Sequence, residues 1–298
     1  MSRSINRPRG CGRHPHFRFL LAACSLAWVQ GAPLAEPPHQ QVTIPFSFEG
    51  GRIHVPAFVN GRGPFRFLVD TGASGAGRVD VKLVEQLRLR VTGTTTNSDL
   101  VNTATITTVG LDSLRIGALE RRDVEVLSRD YNVGKRADSQ PLLGIIGRGF
   151  FSPDLLTVDY ERRELTISKV PLRESDPHVV RCDQSFVVPI RIGDHETVGH
   201  LDTGSNIEMH LPLEWAGRLG IQSLEPAGEG RRANTVFQLF AAELPVPMHI
   251  AGNALAGIDA RFSEQARQIN IGSALLARKE CVIDLDQTKQ LVRMRCKP

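Results

Sequence analysis

The chain has 298 residues, 41% of them hydrophobic and 23% charged, which is room for two ordinary domains with sizeable cores. Its formal charge of +4 arises in residues 1–35, where five of the 36 Lys and Arg residues face no acid; the remaining 31 meet 32 Asp and Glu. That balance removes the electrostatic case for a nucleic-acid partner, and no low-complexity tract or charge block marks disorder.

In chain order, residues 1–35 read as a signal peptide. Arg3, Arg7, Arg9, Arg13 and Arg18 come first, then the apolar stretch Phe19 to Val29, then small residues around Gly31, Ala32 and Ala35. The stretch is too short to cross a bilayer core of about 30 Å as a helix. The pattern predicts an exported protein, periplasmic or secreted. Leu21-Ala22-Ala23-Cys24 resembles the lipobox of bacterial lipoproteins, so anchoring through Cys24 is the alternative.

Beyond residue 35 the chain reads mostly as strands. Alternating or short apolar runs at Ile53 to Val59, Phe65 to Val69, Ala104 to Thr108, Leu155 to Val158 and Phe186 to Ile192 are bounded by Gly, Pro and Asn turns. Val91 to Thr108 is rich in Thr and Val, which suits β structure. One short helix per half is expected, at Asp80 to Leu89 and at Leu213 to Leu219. Segment 171–184, with Pro171, Pro177 and several charges, reads as a linker between a first lobe (36–170) and a second (185–298). Cys182, Cys281 and Cys296 lie beyond the signal, and an exported protein is expected to pair some of them. Cys281 and Cys296 flank a hairpin, while Cys182 is a rival partner for Cys296, so connectivity stays open.

The chain repeats itself. Asp70-Thr71-Gly72 ends the apolar run Phe65 to Val69, and Asp202-Thr203-Gly204 ends Val198 to Leu201. A second landmark comes after each: Ile145-Ile146-Gly147 with Asp159 twelve positions on, and Asn270-Ile271-Gly272 with Asp284 twelve positions on. Val55-Pro56 and Val188-Pro189 precede the two Asp residues at similar distances. Two different motifs repeated in order at a domain-sized period point to duplicated lobes. Asp159 and Asp284 read as turn residues before hairpins.

On these residues (Phe67 to Ser74, Leu201 to Ser205, and the two Ile-Gly landmarks) the chain resembles the aspartic protease superfamily, closest to the retropepsin-like type found in bacteria, over roughly residues 42–297. The resemblance implies an all-β fold with few short helices, two homologous lobes related by a pseudo-twofold axis, and one Asp from each lobe in a shared cleft. It implies a monomer containing an intramolecular pseudo-dimer, polypeptide substrates, and no metal or organic cofactor. Asp70 and Asp202 are the implied catalytic pair. Two carboxylates at hydrogen-bonding distance cannot both ionise, so they share a proton, and one can activate water while the other protonates a peptide carbonyl.

Thr71 and Thr203 are the expected cross-axis hydrogen bonders, and Gly72 and Gly204 permit close backbone approach. Gly147 and Gly272 mark supporting strands. Family members close the cleft with a flap. The candidate here, Thr94 to Thr108, lacks both the Tyr of pepsin-like flaps and the Gly-rich tip of retroviral ones, and Ala227 to Leu239 is its counterpart in the second half.

The alternative to an endopeptidase is an inactive protease-like module that binds peptides or an envelope protein. His195 and His200 stand five apart in a strand region, which does not match the helical zinc-protease pattern; His200, two residues before Asp202 on a strand, can face the cleft. Arg148 either bridges the lobes or is a solvated turn residue. Trp215 reads as core.

Overall fold

The computed structural model of the protein describes residues 41–133, 140–231 and 233–297; the predicted signal peptide and Cys24 lie outside them. The first half runs β1 (Val42–Pro45), β2 (Ser47–Glu49), β3 (Arg52–Val59), β4 (Arg62–Asp70), β5 (Gly77–Asp80), α1 (Val81–Leu87), β6 (Arg90–Ser98), β7 (Thr103–Ile116), β8 (Leu119–Arg129), β9 (Gly144–Gly147), a 3-10 turn at Arg148–Phe150, β10 (Leu155–Asp159) and β11 (Glu164–Ser168). The second half runs β12 (Val179–Arg181), β13 (Val187–Ile192), β14 (His195–Asp202), β15 (Met209–Pro212), α2 (Glu214–Arg218), β16 (Glu225–Arg231), β17 (Val236–Glu243), β18 (Met248–Ile250), β19 (Asn253–Leu255), β20 (Asp259–Ser263), β21 (Ile269–Gly272), α3 (Ser273–Arg278), β22 (Val282–Asp286) and β23 (Leu291–Arg295). The all-β expectation holds.

Each lobe is one curved sheet, and the two sheets are built alike. The first has the order β2-β3-β4-β9-β5-β8-β7-β6. The second, taken from its opposite edge, has β19-β18-β13-β14-β21-β15-β20-β17-β16. In both, an Asp-bearing strand lies parallel to an Ile-Gly strand (β4 with β9, β14 with β21), which is antiparallel to the next strand (β5, β15). The far half of β7 returns to pair with β3, as β18 does with β13. Inward residues of these strands, among them Ile53, Val55, Phe67, Val69, Val188, Leu201 and Ile271, are buried in a core shared by the two lobes, where the burial of each large aliphatic side chain contributes about 1.5–3 kcal/mol.

A third sheet joins the halves in the order β1-β11-β10-β22-β23-β12. Its centre is the antiparallel pair β10–β22, one strand from each half. The segment expected as a linker contributes β12, which pairs with β23. Cys281 and Cys296, which bracket the β22–β23 hairpin, form a disulfide, and Cys182 is free and half-buried.

Two expectations are corrected. A third helix, α3, comes after Gly272, where the first half has only the three-residue 3-10 turn after Gly147. That longer helix delays the hairpin beyond it. Asp159 ends β10 and its Oδ1 accepts the Arg162 amide at 2.8 Å, as a turn residue does. Its hairpin counterpart is Asp286, which ends β22 and accepts from the Lys289 amide at 2.8 Å. Asp284 is no turn residue. It lies mid-strand at 2% exposure, opposite Thr157, and accepts from Thr157 Oγ1 at 2.5 Å, Arg293 Nε at 2.7 Å and Arg295 Nη1 at 3.0 Å.

Asp284 thus ties the interlobe sheet from its middle. Asp284→Ala should lower stability by about 2 kcal/mol, because it removes a buried carboxylate that three partly buried donors share. Asp159→Ala, whose ion pair with Arg162 lies at the surface, should cost less than about 1 kcal/mol. Urea midpoints of the two variants test this; equal midpoints would refute the distinction.

Candidate active site

Asp70 and Asp202 are the last residues of β4 and β14. Each stands in register with the glycine of its parallel neighbour, Asp70 with Gly147 and Asp202 with Gly272. The loop after each Asp folds back on itself: the Ala73 amide reaches Asp70 Oδ1 at 3.0 Å, and the Gly204 amide reaches Asp202 Oδ1 at 2.9 Å. The chain beyond each Ile-Gly pair passes under the loop and holds it. Gly147, Arg148 and Gly149 donate amides to the carbonyls of Ala76, Ala73 and Gly75, and Gly272 and Ser273 donate to those of Glu208 and Ser205. A Cβ on Gly147 would stand 2.6 Å from the Gly75 carbonyl oxygen, and one on Gly272 2.0 Å from that of Ile207. Neither distance is tolerable, so both landmark glycines are demanded by the crossing.

Two threonines bind the loops to each other. The Thr71 amide donates to Thr203 Oγ1 at 3.0 Å, and the Thr203 amide to Thr71 Oγ1 at 3.1 Å. Each hydroxyl then donates across the axis, Thr71 Oγ1 to the Leu201 carbonyl and Thr203 Oγ1 to the Val69 carbonyl, both at 2.9 Å. Both threonines are fully buried. The two carboxylates stand close together above this grip, near enough that one Cβ built on Gly72 would touch both. A Cβ on Gly72 would lie 2.8 Å from Asp202 Oδ1 and 3.1 Å from Asp70 Oδ1, and one on Gly204 would lie 2.3 Å from Asp70 Cγ. Any side chain at either glycine would therefore strike the opposite carboxylate.

Three arginines surround the pair. Arg52 Nε donates to the Gly204 carbonyl at 2.8 Å, Arg148 Nη1 to the Gly72 carbonyl at 3.1 Å, and Arg78 Nη1 to the Ser74 carbonyl at 2.9 Å. Arg148 also reaches Ser185 Oγ, at 3.3 Å, so it bridges the two halves. Burial first, and the nearby Asp202 charge second, raise the Asp70 carboxyl to about 7, against the opposing pull of Arg78. Burial lowers the pKa of Arg52 while both carboxylates pull it back up.

Asp202 has one further partner. Asn270 Nδ2 donates to Asp202 Oδ2 at 2.9 Å, and Asn270 Oδ1 faces His200 Nδ1 at 2.9 Å. Sequence reasoning missed Arg52 and Asn270. The signal for Asn270 was an amide in a strand whose first-half counterpart reads Ile145-Ile146-Gly147; Arg52 carried none.

Both expected flap segments form hairpins, β6–β7 and β16–β17. Their tips are joined. Asp99 Oδ2 accepts from the Asn234 amide at 2.6 Å and from Thr235 Oγ1 at 2.9 Å; Asn102 Nδ2 reaches Thr235 Oγ1 at 3.0 Å; and Arg129 Nη2 holds Asn234 Oδ1 at 2.8 Å. Burial raises the Asp99 carboxyl, but the amides of Asn102, Asn234 and Val101, with the Thr235 hydroxyl, outweigh it and hold the carboxyl below the usual range. Between Thr95–Asn97 of β6 and the loop Ser74–Gly77 lies a cavity of about 250 Å³, with Glu125 on its wall. A cavity of about 340 Å³ bordered by Glu49, His54, Phe65 and Arg66 touches neither Asp. Among the described residues no group of three or more His, Cys, Asp or Glu could hold a metal ion.

Thr71→Val removes a hydroxyl that donates once and accepts once in a dry interface. The loss should be about 2–4 kcal/mol, read from chemical denaturation; a loss below about 1 kcal/mol would show that the grip carries little energy. Asp70→Asn should act oppositely, with a pH dependence. The folded Asp70 carboxyl binds its proton more tightly than the unfolded one, so wild-type stability falls as pH rises from about 4 to about 7. Relative to wild type, Asp70→Asn should gain little at pH 4 and about 4 kcal/mol at pH 8. A pH-independent difference would contradict the shift.

No curated protein matches the chain. Residues 55–150, which run from β3 through the first Asp-Thr-Gly loop to the 3-10 turn after Gly147, match the family described as aspartyl protease. That match lies in the first lobe, whose strand order the second repeats, and it supports an assignment to the aspartic protease superfamily, of retropepsin-like type.

Proposed function

We propose that the protein is an aspartic endopeptidase in which Asp70 and Asp202 act as one catalytic pair on a water molecule. The observation that carries this reading is the approach of the two carboxylates across the threonine grip, with glycines at the two positions where any side chain would collide with them. Retropepsin-like lobes supply a polypeptide cleft, and the two hairpins joined at their tips suit a roof over an extended chain.

The chemistry balances with one proton on the pair. The ionised carboxylate takes a proton from water as the water oxygen bonds to the peptide carbon, and the protonated carboxyl gives its proton to the carbonyl oxygen, forming a neutral gem-diol. In the second step the newly protonated carboxyl passes its proton to the amide nitrogen. The C–N bond breaks, and the gem-diol returns a proton to the other carboxylate. The pair ends as it began. Arg52 and Arg148, bonded to loop carbonyls and not to the carboxylates themselves, lend positive potential without quenching the pair. Export is part of the proposal: the Cys281–Cys296 disulfide suits an oxidising compartment.

The experiment is cleavage of a mixed peptide library across pH by the wild type, Asp70→Asn and Asp202→Asn proteins. Wild type should cleave, and each variant should lose on the order of 10³-fold in rate or more while remaining folded. The alkaline limb should fall near pH 7, because the pair loses its shared proton as pH rises through the raised Asp70 value. Absence of wild-type cleavage, or retained cleavage in either variant, would refute the assignment.

A further inference from the structure

The two lobes are equivalent in strand order but not in what they place beside their Asp. In the first lobe the residues two before Asp70 and two before Gly147 are Leu68 and Ile145, adjacent across the β4–β9 pairing and packed with Ala73. In the second lobe the same two positions hold His200 and Asn270, adjacent across β14–β21. There an apolar contact is replaced by a hydrogen-bonded chain running from His200 Nδ1 through Asn270 to Asp202 Oδ2, with both links at 2.9 Å. Among the described residues Asp70 receives no such side-chain amide.

The direction of this chain depends on its far end. His200 is 7% exposed, and its Nε2 meets no partner among the described residues. Two arrangements of the chain differ in whether Asn270 donates to Asp202, which favours its ionised form, or accepts from it. In one, the Asn270 amide nitrogen donates to an ionised Asp202, its oxygen accepts from His200 Nδ1–H, and His200 Nε2 is a bare lone pair. In the other, the amide is reversed, Asp202 carries the proton and donates it to Asn270 Oδ1, and His200 must hold its own hydrogen on Nε2. The second arrangement strands a buried N–H donor, whereas the first strands only an acceptor. Unpartnered buried N–H donors are the rarer of the two. The amide assignment therefore rests on the completed network.

We propose that Asn270 and His200 are positioning residues that break the symmetry of the pair. They hold Asp202 as the carboxylate that takes the proton from water, and leave the shared proton on Asp70, which delivers it to the substrate carbonyl. The inference rests on the endopeptidase reading. The other charged and titratable groups facing the pair are Arg52 from β3, Arg78 from β5, Arg148 after β9, and the hydroxyls of Tyr131 and Tyr160. Arg52 and Arg148 act on both carboxylates. Tyr160 hydrogen-bonds to Ser273 and not to Asp202. Arg78 favours charge on Asp70, so the relay must outweigh it.

The test uses Asn270→Ile and the double variant Asn270→Ile/His200→Leu, which copy the side chains that the first lobe already accommodates at these positions. The first readout is the acid limb of kcat/KM against pH, which reports protonation of the ionised member. It should move up by about one pH unit in both variants, with the alkaline limb in place, kcat down about tenfold or more and KM little changed. His200→Gln, whose amide can still donate to Asn270 Oδ1, should keep the wild-type acid limb. The second readout needs no turnover: the carbon-13 carboxyl titration of Asp202 should shift upward in Asn270→Ile. An acid limb and an Asp202 titration that stay in place, or a shift of the alkaline limb and of Asp70 instead, would overturn the assignment even if wild type cleaves peptides. A wild type that cleaves nothing would overturn the endopeptidase reading, while the carboxyl titration would still decide the relay.

Discussion

Thr71 and Thr203 exchange two hydrogen bonds, and each hydroxyl donates one more across the axis to the Leu201 or Val69 carbonyl, all in a site closed to water; the rest of the molecule is arranged around that grip. Bringing two carboxylates into contact is unfavourable by charge and by desolvation. The cost is met by backbone that cannot retreat. Each loop is bonded to the other through a threonine, and each is bonded from beneath by the strand ending in Gly147 or Gly272. Desolvation first, and the repulsion between the two charges second, then appear as a carboxyl that keeps its proton far above the ordinary range.

The interlobe sheet serves the same end from further away. If the lobes could rock freely, the grip would be strained at every excursion. The antiparallel pairing of β10 with β22, closed by Asp284 and its two arginines, makes the relation between the lobes part of the fold itself. At the other side the hairpin tips meet through Asp99, Asn234 and Thr235, a set of polar contacts near the surface. Such contacts are individually weak and solvent-competed, which on the proposed endopeptidase reading suits a roof that parts for a chain to enter. The buried threonine contacts suit a floor that must not move.

Duplication also explains where the lobes differ. The core positions remain apolar in both, because each must fill its own sheet. Departures fall where the halves touch or where chemistry needs two unlike partners: Asp284 opposite Thr157 at the centre of the joining sheet, α3 where the first lobe has one 3-10 turn, and His200 with Asn270 where the first lobe has Leu68 with Ile145. A symmetric pair of acids has no reason to place its proton on one member; an amide beside only one of them supplies that reason.

Much of this was legible in residue order. The two Asp-Thr-Gly turns, their Ile-Gly landmarks and the strand periodicities are local patterns, set by turn sterics and by the alternation of a pleated chain, and they disclosed the β class and the repeated turns that carry the two acids. The equal spacing to Asp159 and Asp284 misled, because counting residues cannot see that a helix in one half replaces a shorter turn in the other. Arg52, the Asn270–His200 chain, the meeting of the two hairpin tips and the choice of Cys281 over Cys182 as the partner of Cys296 join residues far apart in sequence or depend on which of several equal candidates lies nearest. Local propensity carries no information about such distances. They are decided when the strands take their register and the lobes close on each other, so the sequence by itself determined that two acids would be presented on matching turns, and only the tertiary structure decided what each of them would face.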